Sequence, residues 1–276
     1  MKKFVLSLTL ALFAGTLAAQ IRMVRLTRFE GKPITGISAS SSFDVELIRS
    51  ERTSAIVEIN TELEKYLVFE LDAQGVLKLG LRPGGIRTER SILRARICLN
   101  DLRFISASGA SDISCTGSFE SKEASIRLSG ASKLDALDLT CTGDVDISCS
   151  GASNMNGTSI RYAEMKITLS GASDATISGQ GGRLNCELSG ASKLRISGEA
   201  DDAMLRLSGA SDFSGPDLVV KDARIEATSA SKVDFGEVEG ELTARGSGAS
   251  KIIYRGNPSS GGSLSTSSAS SIRKVQ

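Results

Sequence analysis

A four-residue segment, Ser-Gly-Ala-Ser, returns along this chain at a nearly fixed interval. Intact copies occupy Ser108–Ser111, Ser129–Ser132, Ser150–Ser153, Ser170–Ser173, Ser189–Ser192, Ser208–Ser211 and Ser247–Ser250, with degenerate copies at Thr228–Ser231 and Ser267–Ser270. Counted at the second residue, the nine copies lie 21, 21, 20, 19, 19, 20, 19 and 20 residues apart. Such regularity marks a repeat architecture, in which each unit buries its apolar face only by stacking on its neighbours.

The residues around that reference position set the secondary structure. Four positions before it stand Ile105, Ile126, Ile147, Ile167, Cys186, Leu205, Ile225, Ala244 and Leu264, and two before it Leu128, Cys149, Leu169, Leu188 and Leu207 recur. Four positions after it stand Ile113, Leu134, Met155, Ala175, Leu194, Phe213, Val233, Ile252 and Ile272. Period-two apolar columns on both sides of a small-residue corner predict two short strands per repeat, each with one buried face. Gly117, Gly143, Gly179, Gly198, Gly236 and Gly256 punctuate the return path, and no repeat has room for a helix. An all-β unit of this length predicts the coils of a parallel β-helix.

Charge tests the stacking independently. Three positions after the reference, successive coils carry Asp174, Lys193, Asp212 and Lys232, and three before it Glu187, Arg206, Glu226 and Arg245. In stacked coils such positions lie about 4.8 Å apart, where like charges repel and alternating signs pair. Lys232 beside Lys251 and Asn154 beside Asp174 depart from the rule. The corner itself reads as structural: Gly permits backbone conformations closed to other residues, and the closing Ser can bond turn backbone or its own copies in adjacent coils. Nine equivalent serines without a base partner do not form a nucleophilic site.

Residues 1–19 combine Lys2-Lys3, an apolar run from Phe4 to Leu17 and a small-residue end at Ala18-Ala19, the pattern of a secretory signal peptide cleaved after Ala19. No cysteine lies near that point, so an exported chain without a lipid anchor or a transmembrane segment is expected. Of Cys98, Cys115, Cys141, Cys149 and Cys186, the repeat phase places Cys115, Cys149 and Cys186 in the core, where cysteine acts as a small hydrophobe. Mostly free thiols follow.

Residues 20–107 are β-rich but irregular, with strands predicted over Phe43–Ile48, Ala55–Ile59, Tyr66–Leu71, Val76–Leu81, Ala95–Leu99 and Leu102–Ala107. Ile37-Ser38-Ala39-Ser40 resembles a decayed corner, so this part is either wider coils of the same solenoid or a small sheet on its end. It holds 14 basic and 11 acidic residues, against 17 and 21 for residues 108–276. Its excess is concentrated in Arg82, Arg87, Arg90, Arg94 and Arg96, opposed along the chain only by Glu89, a candidate contact for an anionic partner.

Phe43-Asp44-Val45-Glu46-Leu47, Gly75-Val76-Leu77-Lys78-Leu79 and Leu99-Asn100-Asp101-Leu102 ahead of the first Ser-Gly-Ala-Ser, followed by coils of Ser-Gly-Ala-Ser-Asp/Lys, resemble the putative auto-transporter adhesin head GIN domain family of Bacteroidetes-type bacteria. The resemblance spans about residues 27–255 and implies a right-handed parallel β-helix in an extracytoplasmic location. It supplies no catalytic residues.

Composition narrows function further. The chain contains 33 basic and 32 acidic residues, so loss of Lys2 and Lys3 leaves a net charge near −1 and no global pull on nucleic acid or anionic membrane. With no His and no Trp, Ser-His-Asp and Cys-His catalysis and His-ligated metals are excluded. No cofactor or metal site is expected. Three readings follow: a non-catalytic exported protein presenting a surface to a glycan or protein partner, a polysaccharide-active enzyme on a β-helix, or a subunit self-associating through coil ends. The first is favoured, because the acidic groupings, Asp201-Asp202 and Glu237-Glu239-Glu241, fall in predicted return loops and aromatic residues make up only 4%. Gly246, Gly262, Thr266 and Arg273-Lys274 read as a C-terminal cap.

Overall fold

The corner dictates how the coils meet. In the computed structural model, which describes residues 22–84, 91–259 and 261–275, Gly130, Gly151, Gly171, Gly190 and Gly209 hold φ between +71° and +73°. From Ala152 to Ala230 the Ala N–H after each corner Gly donates to the corner Gly carbonyl of the preceding coil, as in Ala172 to Gly151 and Ala191 to Gly171 at 2.7 Å. A Cβ on Gly190 would lie 2.7 Å from the Gly171 carbonyl oxygen. Both the left-handed conformation and the close approach therefore require glycine. The closing serines, Ser111 through Ser250, are at most 1% exposed. Six of the eight bond backbone and not one another, as where Ser132 Oγ lies 2.8 Å from the Ser129 carbonyl and 3.0 Å from that of Ala107 in the preceding coil, whereas the buried hydroxyls of Ser153 and Ser250 have no hydrogen-bond partner among the described residues.

Around these corners the chain winds as a β-solenoid. Strands β1 (Met23–Arg28), β2 (Gly36–Ala39), β3 (Asp44–Arg49), β4 (Ser54–Asn60), β5 (Leu67–Leu71), β6 (Val76–Leu81) and β7 (Leu93–Leu99) build the N-terminal end. The repeats follow as β8 (Phe104–Ala107), β9 (Asp112–Thr116), β10 (Ser118–Ser121), β11 (Ala124–Leu128), β12 (Lys133–Asp135), β13 (Asp138–Cys141) and β14 (Asp144–Cys149). Next, β15 (Asn154–Leu169), β16 (Asp174–Leu188), β17 (Lys193–Leu207) and β18 (Asp212–Ala227) each run through a whole circuit. Then come β19 (Lys232–Val238), β20 (Leu242–Gly246), β21 (Lys251–Gly256), β22 (Leu264–Thr266) and β23 (Ser271–Lys274).

Every pairing between repeats is parallel, and Ile105, Ile126, Ile147, Ile167, Cys186, Leu205 and Ile225 form one in-register column, each at most 1% exposed. Each coil has three sides, not the two strands expected. The third side, β10 and β13 in the early coils, escapes the period-two reading because its inward column runs Phe119, Leu139, Ile160, then Gly179 and Gly198, then Leu218. The Tyr162 ring lies beside the first of these glycines, 3.3 Å from where a Cβ on Gly179 would sit, and a Cβ on Gly198 would strike the Gly179 carbonyl. Register shifts at Met155/Thr158, Arg195/Gly198 and Gly215/Val219 also lie here, so this side absorbs the variation in repeat length.

At the N-terminal end β2 is sandwiched between β6 and β8, with Ile37 opposite both Leu77 and Ile105, and β3 lies between β7 and β9. The decayed corner is therefore three residues later than the sequence reading placed it. Ile37-Ser38-Ala39 belongs to β2, and the turn is Ser40-Ser41-Ser42-Phe43, where fully buried Phe43 replaces the closing serine and Ser41 and Ser42 hold φ of +64° and +60°. Two features went unread: the edge strand β1, antiparallel to β4, and a short 3-10 helix, Thr61–Tyr66, between β4 and β5. The C-terminal residues expected to cap the fold instead add one more parallel coil, β22 on β20 and β23 on β21, with Leu264 51% exposed. Residues 1–19, where a signal peptide is expected, lie outside the described residues.

Ile167→Asp is expected to abolish cooperative unfolding, because an unpaired charge enters the apolar stack. Lys193→Ser should cost under about 1 kcal/mol in the same denaturation assay, since its row is exposed. Ser229 holds the corner's left-handed conformation at φ +62° without being glycine, so Ser229→Gly should stabilise the fold by about 1 kcal/mol.

Candidate functional site

Outward-facing residues of neighbouring strands form continuous charged rows. One crosses the sheet as Arg25, Glu58, Arg94, Asp44, Asp112, Lys133, Asn154, Asp174, Lys193, Asp212, Lys232 and Lys251, every neighbour in register. The second expected row is also in register, Glu187 to Arg206 to Glu226 to Arg245, with Arg206 3.5 Å from Glu187 and 3.7 Å from Glu226. These exposed pairs are each worth under about 1 kcal/mol, so they tune register and solubility more than stability.

The first row ends in a shallow cleft of about 390 Å³ lined by Arg25, Asp44, Glu46, Glu58, Arg94 and Arg96, together with Ile56, Ala95 and Ser114. Two of the five arginines singled out from the sequence, Arg94 and Arg96, meet there because both point outward from β7. Arg82 stands apart, 3.3 Å from Glu70, and Arg87 and Arg90 lie outside the described residues, as does Glu89. Counting acids along the chain underestimated their opposition. Sheet pairing brings Asp44 and Glu46 of β3 beside Arg94 and Arg96, at 3.9 Å and 2.8 Å. The Glu46 hydrogen bond pushes the Arg96 pKa above its usual range. Arg25, 3.9 Å from Glu58, was missed because β1 carried no strand signal beyond a short alternation.

The acidic groupings lie only partly in return loops, since Glu239 and Glu241 fall in the connection between β19 and β20. Asp201 and Asp202 lie within β17 and Glu237 within β19. Asp202, Asp222 and Glu241 stack on successive coils, where Asp222 Oδ1 accepts the Glu241 N–H at 2.6 Å. Among the described residues two carboxylates have clearly displaced pKa values and both are lowered: Asp72 by accepting the backbone N–H of Val76, and Glu226 by its hydrogen bond to Arg224.

All five cysteines are free thiols, with Cys115, Cys141, Cys149 and Cys186 buried and Cys98 half-buried on the outer side of β7. Burial pushes Cys115 and Cys149 up to about 12 and also raises Cys141 and Cys186. Among the described residues no helix is long and apolar enough to cross a membrane.

Stacked coils with a packed interior and long polar outer rows define a β-solenoid whose chemistry is on its surface. The chain belongs to the family described as "Putative auto-transporter adhesin, head GIN domain", which it matches over residues 33–159 and 145–258. Solved structures share the fold. A putative adhesin from Parabacteroides merdae is 13% identical with a TM-score of 0.69, over 92% of this chain and 97% of that one. A putative adhesin from Parabacteroides distasonis is 14% identical with a TM-score of 0.69, over 93% and 98%. A protein from the same organism named a putative lipid binding protein is 17% identical with a TM-score of 0.65, over 92% and 97%. No curated protein matches the chain.

The raised thiol pKa values predict chemical inertness in the folded state: a maleimide reagent followed by mass spectrometry should label the native protein at Cys98 at most, and all five thiols after unfolding. They also predict alkaline sensitivity. The folded thiols stay neutral while unfolded ones ionise, so the stability they contribute is intact below about pH 9 and is lost as pH rises from 9 towards 12. Cysteine-to-alanine variants at Cys115 and Cys149 should flatten that slope in denaturation measurements.

Proposed function

We propose that this chain is a non-catalytic exported protein that acts by presenting its solenoid surface to a partner, in the manner of an adhesin. The family's adhesin character supports an adhesin-like surface protein. The secretory pattern of residues 1–19 supports export. The observation that carries the reading is the surface itself: its charges are laid out in rows across the strands, and the polar corner serines that might suggest chemistry are buried away from it. Solenoids offer long, continuous faces suited to such recognition.

Within this reading, the Arg82–Arg96 segment contacts an anionic partner, with Arg94 and the neighbouring Arg25 at the cleft. Their carboxylate neighbours sit 3.9 Å away, beyond a tight hydrogen bond, so a ligand carboxylate or phosphate can compete for both guanidinium groups. Arg96, held by Glu46 at 2.8 Å, frames the site instead.

Screening the purified protein against bacterial and host polysaccharides tests the class. Binding without turnover is expected, weakening with added salt because exposed charges are screened over about 8 Å at physiological ionic strength. Arg87→Ser, Arg90→Ser and Arg94→Ser together should weaken it by tenfold or more, since exposed charged contacts add about 1 kcal/mol or less each. Turnover of any polymer, with or without calcium, overturns the non-enzymatic reading. Unchanged binding by the triple variant removes the arginine site alone.

A further inference from the structure

Near-neutral overall charge conceals a segregated end. Residues 242–276 contain Arg245, Lys251, Arg255, Arg273 and Lys274 and no Asp or Glu. Lys232 joins them from the coil before, in register with Lys251, so two like charges stack in a row whose other neighbours mostly alternate in sign. Arg255 is neutralised by Asp234 at 2.6 Å, and Lys274 donates to Asn257 Oδ1. Lys232, Arg245, Lys251 and Arg273 have no carboxylate within ion-pair distance among the described residues. The adjacent acids do not change this. Asp212 neighbours Lys232 along the row but lies between it and Lys193, and Glu226, the neighbour of Arg245, is engaged by Arg224 at 2.9 Å.

Shape decides what such a patch can hold. Arg245 lies three residues before Gly248 and Lys251 three after it, so they stand on opposite flanks of the corner Ser247–Ser250. That corner is a ridge with no side chain larger than serine, and the flexible stems of Lys and Arg reach past it from both sides. A ridge flanked by cations can rest on a plane but cannot enclose a polymer. Arg273 lies outward on the next strand, β23, and extends the patch along the solenoid axis.

We propose that the C-terminal coils dock this protein on the phosphate-bearing face of a lipid bilayer through Lys232, Arg245, Lys251 and Arg273. The contact is peripheral and electrostatic, and it leaves the opposite, N-terminal end free for a partner. It does not depend on the arginine cleft described above.

Co-sedimentation of the exported chain with vesicles tests it. Binding is expected to phosphatidylcholine vesicles containing phosphatidylglycerol and not to phosphatidylcholine alone, with steep loss as salt rises. Each of Lys232→Gln, Arg245→Gln, Lys251→Gln and Arg273→Gln should weaken binding about fivefold, as expected for one cation near an anionic surface. All four sites are exposed, so the variants should keep the parent melting temperature, which confirms that lost binding is not lost folding. Arg87→Ser, Arg90→Ser and Arg94→Ser should leave vesicle binding intact, which separates this surface from the cleft. Failure to bind anionic vesicles, equal binding to neutral ones, or undiminished binding by the combined glutamine variant overturns the proposal. So does capture by soluble polygalacturonate at least as tight as by vesicles, which would identify an acidic polymer as the occupant.

Discussion

The hydrogen bond from each corner Ala to the Gly one coil earlier is the contact on which the rest of the solenoid depends. At 2.7–2.9 Å it brings successive backbones together where no side chain intervenes, and it repeats from Gly130 to Ser229. Once the corners are superimposed, the residues four before and four after them must stack on their own copies, and the apolar columns close without further instruction. In six coils the buried serine completes the device by donating to a backbone carbonyl of the corner or of the preceding coil. Stability therefore accumulates coil by coil, chiefly from the inward Ile and Leu stacks.

This explains which parts of the architecture could be read directly from the residues. Positions near the corner are in strict phase, so the inward columns, the buried fate of Cys115, Cys149 and Cys186, and the alternating charge rows were all legible. The third side was not, because its register shifts and its glycines at 179 and 198 erase the two-residue period that would have announced it. At the N-terminal end the helical ruler fails altogether: Phe43 occupies the place of a corner serine, and β4 and β5 run antiparallel to their partners. The candidate site suffers most from this. Arg94 and Arg96 could be seen as basic residues, but Asp44 and Glu46 become their neighbours only through pairing across 50 residues of chain. Arg25 joins them through a strand that the pattern did not reveal.

Alternation of sign also gives the surface a background against which departures stand out. Where every second coil reverses charge, a partner feels little net field at a distance. The runs that break the rule, acidic Asp202, Asp222 and Glu241 and basic Lys232 and Lys251, create local potential on different flanks of the same region. A chain with a near-zero total can in this way carry two opposed faces.

The position of β2 and β3 has a bearing on how the molecule comes into being. The coil they form is the first to be synthesised but the second in the stack, enclosed by β6–β7 on one side and β8–β9 on the other. Neither side can close until the chain has left, built its antiparallel end and returned, a long-range closure that must be completed against chain entropy. From β11 onward every strand lays down on one finished about 20 residues earlier, a local and inexpensive step. The pairings thus divide into a founding closure of long sequence separation and a series of local additions, each resting on the coil before.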